Sequence, residues 1–171
     1  MKKNPFYILG GIGMLFLIGG FVFSKKFFLK TEKIHYHAGF VVFENNQKID
    51  FSDNKYMFIK PCTVDGKEEE NSGNKQMEKA HLHDNFGDLI HVEAEGAIWR
   101  DLFININFPV DYSKVTAYIN GIQVSNFESQ VIFPDDSLVL FIGDNDKSLF
   151  SQAVTKEYIE SQSKKSTGCG D

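Results

Sequence analysis

The chain has 171 residues and a formal net charge of −5, a size that suits one domain with an appendage. Residues 1–26 contain four lysines and no acidic residue, so the remaining 23 acidic residues outnumber 14 basic ones, a formal charge of −9. This balance argues against a nucleic-acid-binding protein, because phosphates require a basic surface. It is compatible with attraction of cations from solution.

The appendage lies at the start of the chain. Residues 6–23 (FYILGGIGMLFLIGGFVF) contain no charge and would span about 27 Å as a helix, near the lower limit for crossing a bilayer. A small-residue cleavage motif does not follow them, which favours an uncleaved membrane anchor over residues 1–26. A cleaved signal peptide with a poor site is the alternative. Residues 27–33 form a Lys-rich connector.

Two sets of sequence features predict opposite orientations of this anchor in the membrane. Four lysines soon after the span, against two before it, would keep the C-terminal domain in the cytoplasm by the positive-inside bias. The short N-terminal tail, the acidic remainder and two cysteines outside any CxxC motif favour export. We expect a single-pass protein of the cell membrane with an extracytoplasmic domain. There, Cys62 and Cys169 would form one disulfide or stay two separate thiols.

The first half of the domain reads as short strands. Residues 34–43 are rich in β-branched and aromatic residues, which is typical of a strand. After a turn, residues 48–51 run back beside that strand. Residues 56–60 predict another strand that ends at Pro61. A polar surface loop is expected over residues 64–77.

A turn at residues 85–88 leads into a strand over residues 89–94, with Leu89, His91 and Glu93 on one face. Apolar residues at helical spacing then predict a short helix over residues 97–104.

The C-terminal part predicts a hairpin, two strands and a helix. Residues 115–119 and 122–124 flank Asn-Gly, the signal of a type I′ turn. Strands follow over residues 130–133 and 137–142. A helix capped by Asp146 or Ser148 follows, and its apolar stripe comprises Leu149, Phe150, Ala153, Val154, Tyr158 and Ile159.

These elements predict an α+β fold with one mixed, mostly antiparallel sheet, one short helix across it, a C-terminal helix and the N-terminal transmembrane helix. The expected organisation is an anchor (1–26), a connector (27–33), a His-rich domain (34–146) and a C-terminal helix with a tail (147–171).

Histidine placement is the strongest functional signal in the chain. Four of the five histidines form two H-x-H pairs, His35 with His37 and His81 with His83, whereas roughly 0.14 such pairs are expected by chance. Strand residues i and i+2 share a face, so each pair offers two adjacent imidazoles. If residues 81–93 form a hairpin centred on Phe86, His81 lies opposite His91. A one-residue slip would move His91 to the other face.

Imidazole is the commonest metal ligand, so the cluster predicts a copper or zinc site. Three imidazoles with an open position suit zinc, and four or more nitrogen ligands suit Cu(II). Asp84 and Glu93 are candidate further ligands or partners that orient an imidazole. The faces of His35 and His37 are ambiguous, because apolar residues alternate in both phases further along their strand.

The run H-L-H-D at residues 81–84, followed by G-D-L-I-H-V-E at residues 87–93, resembles a group of small membrane-anchored bacterial proteins that are mostly uncharacterised. That group also has an early H-x-H at the start of a strand. The resemblance covers residues 34–143 and implies that the histidines act as a unit. The second half is similar to β-grasp (ubiquitin-like) domains, which implies a fold only.

The sequence therefore predicts a membrane-anchored, metal-binding protein, with His35, His37, His81, His83 and His91 as the ligands. A metal-dependent hydrolase with Glu93 or Asp84 as general base is one alternative. A non-catalytic protein-interaction module with structural histidines is the other, and a histidine network that reads pH is a variant of it. No catalytic residue and no protein partner is assigned.

Overall fold

The computed structural model describes residues 34–58 and 75–165. The predicted anchor and connector, both cysteines and most of the 64–77 loop lie outside these residues. Within them, no helix is long and apolar enough to cross a membrane. The elements in chain order are β1 (Tyr36–Glu44), β2 (Gln47–Lys48), β3 (Leu89–Val92), α1 (Trp99–Asn105), β4 (Val115–Ile119), β5 (Ile122–Val124), β6 (Ser137–Ile142) and α2 (Lys156–Ser163).

One sheet holds all of these strands in the order β2-β1-β6-β4-β5, and β3 also pairs with β1. Strands β1 and β6 are parallel, and every other pairing is antiparallel. Because β6 occupies one edge of β1, β2 and β3 share the other edge, at opposite ends of β1. The predicted α+β class with a mixed, mostly antiparallel sheet and two helices is confirmed.

The sheet is covered on both faces, which explains the double apolar phase of β1. Ala38, Phe40 and Val42 belong to the main core beneath α1. Val41 and Phe43 point the other way, into a second cluster with the C-terminal segment. A strand buried on both sides shows no clean alternation, so its pattern alone could not assign faces.

Helix α1 and the β4–β5 hairpin form where the sequence predicts them. The carboxylate of Asp101 accepts a hydrogen bond from the Ile98 backbone N–H at 3.0 Å and so caps the first turn of α1. In the hairpin, Asn120 and Gly121 have φ values of 52° and 81°, the two positive values that a type I′ turn requires.

The predicted strand over residues 130–133 is wrong, and residues 56–58, the described part of the predicted strand over residues 56–60, do not form a strand. Tyr56 lies in the 3₁₀ turn Asn54–Tyr56, which begins where the Asp53 side chain accepts a hydrogen bond from the Lys55 N–H. Met57 forms only an isolated bridge with Leu82. In the 130–133 segment, Val131 makes only an isolated bridge with Ile98.

The predicted C-terminal helix forms only over its second part, because the chain breaks after the 3₁₀ turns of its first part. Asp146 caps a 3₁₀ helix, Lys147–Gln152, and Thr155 caps α2. Val154, in the three-residue link between them, packs with Leu89 and Ile159 on the sheet face opposite α1. The break lets both pieces of the apolar stripe reach that face.

Candidate metal centre

Strand pairing places three histidines in a row on one face of the sheet. His37 of β1 lies opposite His91 of β3. On the other side of β3, His81 and His91 exchange both backbone hydrogen bonds, at 3.0 and 2.9 Å. The predicted pairing of His81 with His91 is confirmed, and the row runs His37, His91, His81 across three neighbouring segments.

The remaining two histidines flank this row, and all five rings gather around His91. The His91 ring centroid lies 3.5 Å from that of His83 and 4.2 Å from that of His37. Its distances to His35 and His81 are 5.7 and 5.9 Å. His35 and His37 are 4.9 Å apart.

Three of these residues could hold a metal ion together. One ligand nitrogen from each of His35, His37 and His91 lies within 4.8 Å of the other two. Two nitrogens bound to one ion at about 2.1 Å can be at most about 4.2 Å apart, so small side-chain rotations suffice to bring these atoms into range.

Burial keeps two members of this group in the form that binds metal. His91 is 1% exposed, and burial first, then the neighbouring imidazoles, hold its pKa far below its usual value. The pKa of His37 is lowered to about 4, by burial first and then by His35 and His83, while Asp135 opposes the shift. Both rings are therefore neutral at pH 7, so no proton has to be displaced from them.

His37 also provides an observation that fits an ion. Its Nε2 is buried, and among the described residues it has no hydrogen-bond partner. A buried polar atom without a partner destabilises the fold by about 1–3 kcal/mol. A metal ion at this position would satisfy the nitrogen.

The second H-x-H pair is oriented by hydrogen bonds at Nδ1. His81 Nδ1 lies 2.7 Å from the Met77 carbonyl oxygen, and His83 Nδ1 lies 2.9 Å from the Asp84 carboxylate. Oxygen atoms of these groups accept, so Nδ1 donates in each ring, and in a neutral imidazole held in this way the lone pair is on Nε2. Such a partner on the far nitrogen is common for metal-binding histidines. The Met77 contact has no sequence signal, because it depends on the path of a turn.

The two predicted carboxylates take different positions. Asp84 is exposed and directly follows His83, whose ring it orients. Glu93 follows β3, and its backbone N–H donates to the Glu78 carbonyl at 2.8 Å. The group of three ligand nitrogens that lie close together contains neither residue.

Comparisons with protein-family models, curated proteins and solved structures found no match for this chain. The resemblance to the membrane-anchored group stays a prediction.

Proposed function

We propose that the protein binds a transition metal ion, copper or zinc, through His35, His37 and His91, with His81 and His83 as further nitrogen donors. The observation that carries this proposal is the approach of three imidazole nitrogens, from β1, from the residue just before it and from β3, to within 4.8 Å of one another. Asp84 acts by orienting His83, whose Nδ1 lies 2.9 Å from its carboxylate.

The donor chemistry limits the choice of ion. Neutral imidazoles suit zinc and copper and are poor ligands for magnesium or calcium, which prefer oxygen. Three imidazoles with an open position suit Zn²⁺, whereas recruitment of His83 or His81 as a fourth nitrogen suits Cu²⁺. The acidic balance of the chain outside residues 1–26 favours the approach of either cation.

The contact that Asp84 makes favours a binding site without turnover. A hydrolase would need Asp84 or Glu93 to activate a metal-bound water. The Asp84 carboxylate instead accepts a hydrogen bond from His83, which is the role of a partner that orients a ligand.

The setting of this site is part of the proposal. Residues 6–23 would anchor the chain in the cell membrane, and the domain would face the extracytoplasmic side, as the apolar span and acidic domain suggest. A β-grasp-like second half is also part of the proposal, and it is supported by α1, the β4–β5 hairpin and the pairing of β4 with β6.

The first prediction concerns metal affinity. Titration of the full-length chain with Zn²⁺ and Cu²⁺, against a competing chelator, should give one tight site for at least one ion. His35→Ala and His37→Ala should each weaken binding by at least about 100-fold, because losing a ligand exceeds the 10–100-fold effect of losing its outer partner.

Tyr36→Phe provides the matched control. Tyr36 lies between His35 and His37, but its hydroxyl donates to the Ile132 carbonyl at 2.8 Å and its ring packs on the main core. The variant should lose about 1 kcal/mol of stability and keep its metal affinity. Equal affinity in the wild type, His35→Ala and His37→Ala would contradict the proposed function.

A further inference from the structure

A turn just before His81 is tied to helix α1 by an array of side-chain hydrogen bonds. The Asn105 amide donates to the Gln76 carbonyl at 2.8 Å and to the Ala80 carbonyl at 2.6 Å. Its oxygen accepts from the Gln76 side chain at 3.3 Å. Asn105 therefore uses both amide hydrogens and its oxygen to hold the two ends of one turn.

Asp101, one helical turn before Asn105, binds the same segment through its carboxylate. Its side chain is 6% exposed, and one carboxylate oxygen accepts from Gln76 at 3.0 Å and from the Lys79 ammonium at 3.3 Å. The other oxygen caps α1 at Ile98. Hydrogen bonds to a buried carboxylate are stronger than neutral ones, so this contact fixes the turn firmly.

The turn held in this way contains the carbonyl that orients His81. Met77 lies directly after Gln76, and its oxygen is 2.7 Å from His81 Nδ1. His81 itself is 2% exposed and is fixed at the backbone by its pairing with His91. Because a carbonyl oxygen only accepts, the position of this turn favours the hydrogen of His81 on Nδ1.

We propose that Asn105 and Asp101 are positioning residues of the metal centre. They hold the turn whose Met77 carbonyl accepts the hydrogen bond from His81 Nδ1, and so they fix the orientation of the His81 ring beside His91. The inference rests on the proposed function for its link to metal, but the orientation of His81 can be measured without any ion.

The test uses the full-length chain in metal-free form and a double-mutant cycle. ¹⁵N NMR of the histidine side chains, assigned with His81→Ala, should show His81 protonated at Nδ1 in the wild type and a mixture of tautomers in Asn105→Ala. Metal affinity should fall roughly 10–100-fold in Asn105→Ala. In a His81→Ala background the same change should have no more than about a twofold effect, because the residue acts through His81.

Two further variants separate positioning from general destabilisation. Phe103→Leu alters a core residue of the same helix, whose ring contacts Phe40 and Phe127. It should lower stability by about 1 kcal/mol and leave the His81 tautomer unchanged. Gln76→Ala removes fewer contacts than Asn105→Ala and should shift the His81 tautomer in the same direction. This milder variant replaces Asn105→Ala in the test if Asn105→Ala does not fold.

An unchanged His81 tautomer in the folded Asn105→Ala or Gln76→Ala protein would overturn the inference. So would an equal loss of metal affinity with and without His81. If the wild-type chain binds neither ion, the proposed function fails instead, and the tautomer shift still decides whether Asn105 positions His81.

Discussion

At the scale of single residues, the centre is defined by how differently its histidines are exposed. His91 is buried among four other imidazoles, whereas His35 is exposed at the start of the described chain. Burial excludes the charged form of a ring, so proton uptake at His91 and His37 opposes folding.

This opposition predicts acid sensitivity of the metal-free protein. An unfolded histidine has a pKa near 6.5, whereas that of folded His37 is lowered to about 4. Between these values the unfolded state binds more protons, so the free energy of unfolding should fall as the pH drops from about 6.5 to about 4. Above pH 7 the His37 ring is neutral in both the folded and the unfolded protein, so its titration should not change the free energy of unfolding there.

Urea denaturation with a chelator present, at about pH 7.5 and pH 5, measures the effect. His37→Gln cannot take up the proton and should lose less stability over this interval than the wild type. An identical loss in the wild type, His37→Gln and His91→Gln would show that these rings do not carry the acid sensitivity.

At the scale of elements, the contact between the C-terminal segment and β1 is unusually close. A Cβ added at Gly39 would lie 2.4 Å from Val154 Cγ1 and 3.2 Å from Ile159 Cδ1. Gly39 follows His37 on the same face of β1, so this contact lies directly beside the metal centre. The absence of a side chain at Gly39 is what lets the segment around α2 sit against the strand.

A methyl group at this position should therefore separate the two elements. Gly39→Ala should lower the free energy of unfolding by about 1–3 kcal/mol through overpacking. Val154→Ala makes room for the methyl group, so the double variant should be more stable than the sum of the two single changes predicts. Additive losses in thermal or chemical denaturation would show that the close contact has no energetic effect.

The hairpin pairing and the C-terminal break illustrate what local sequence signals can predict about elements. Asn120-Gly121 and the symmetric spacing of His81 and His91 about Phe86 are short-range patterns, and both pairings formed as predicted. The apolar stripe of residues 149–159 fits one continuous helix as well as it fits two shorter pieces. Its periodicity therefore could not predict the 3₁₀ helix or the extended link at Val154.

At the scale of the whole molecule, the metal centre joins segments that are far apart in the sequence. His37 and His91 meet only because β1 and β3 pair, and the parallel pairing of β1 with β6 completes the sheet around them. Such long-range pairings leave no local pattern. The sequence could therefore nominate the five histidines but could not show that one nitrogen from each of His35, His37 and His91 lies within 4.8 Å of the other two.

A site assembled only in the folded chain couples ion binding to stability. At a free ion concentration about 100-fold above the dissociation constant, the preferred ion should add about 2.7 kcal/mol to the free energy of unfolding. The denaturation midpoint in the presence and absence of that ion measures this gain, and a chelator should abolish it. A double variant, His35→Ala with His37→Ala, should show no gain, and an equal gain in that variant would place the ion elsewhere.

The unequal exposure of the histidines has a kinetic consequence. An ion held by His35, His37 and His91 would have protein on one side and solvent on the side of His35. An incoming donor, from a chelator or another macromolecule, would meet the ion there and replace the His35 nitrogen before the two inner ones. Dissociation would thus proceed by stepwise substitution, with the exchange rate depending on the outermost ring and the retention of the ion on the innermost.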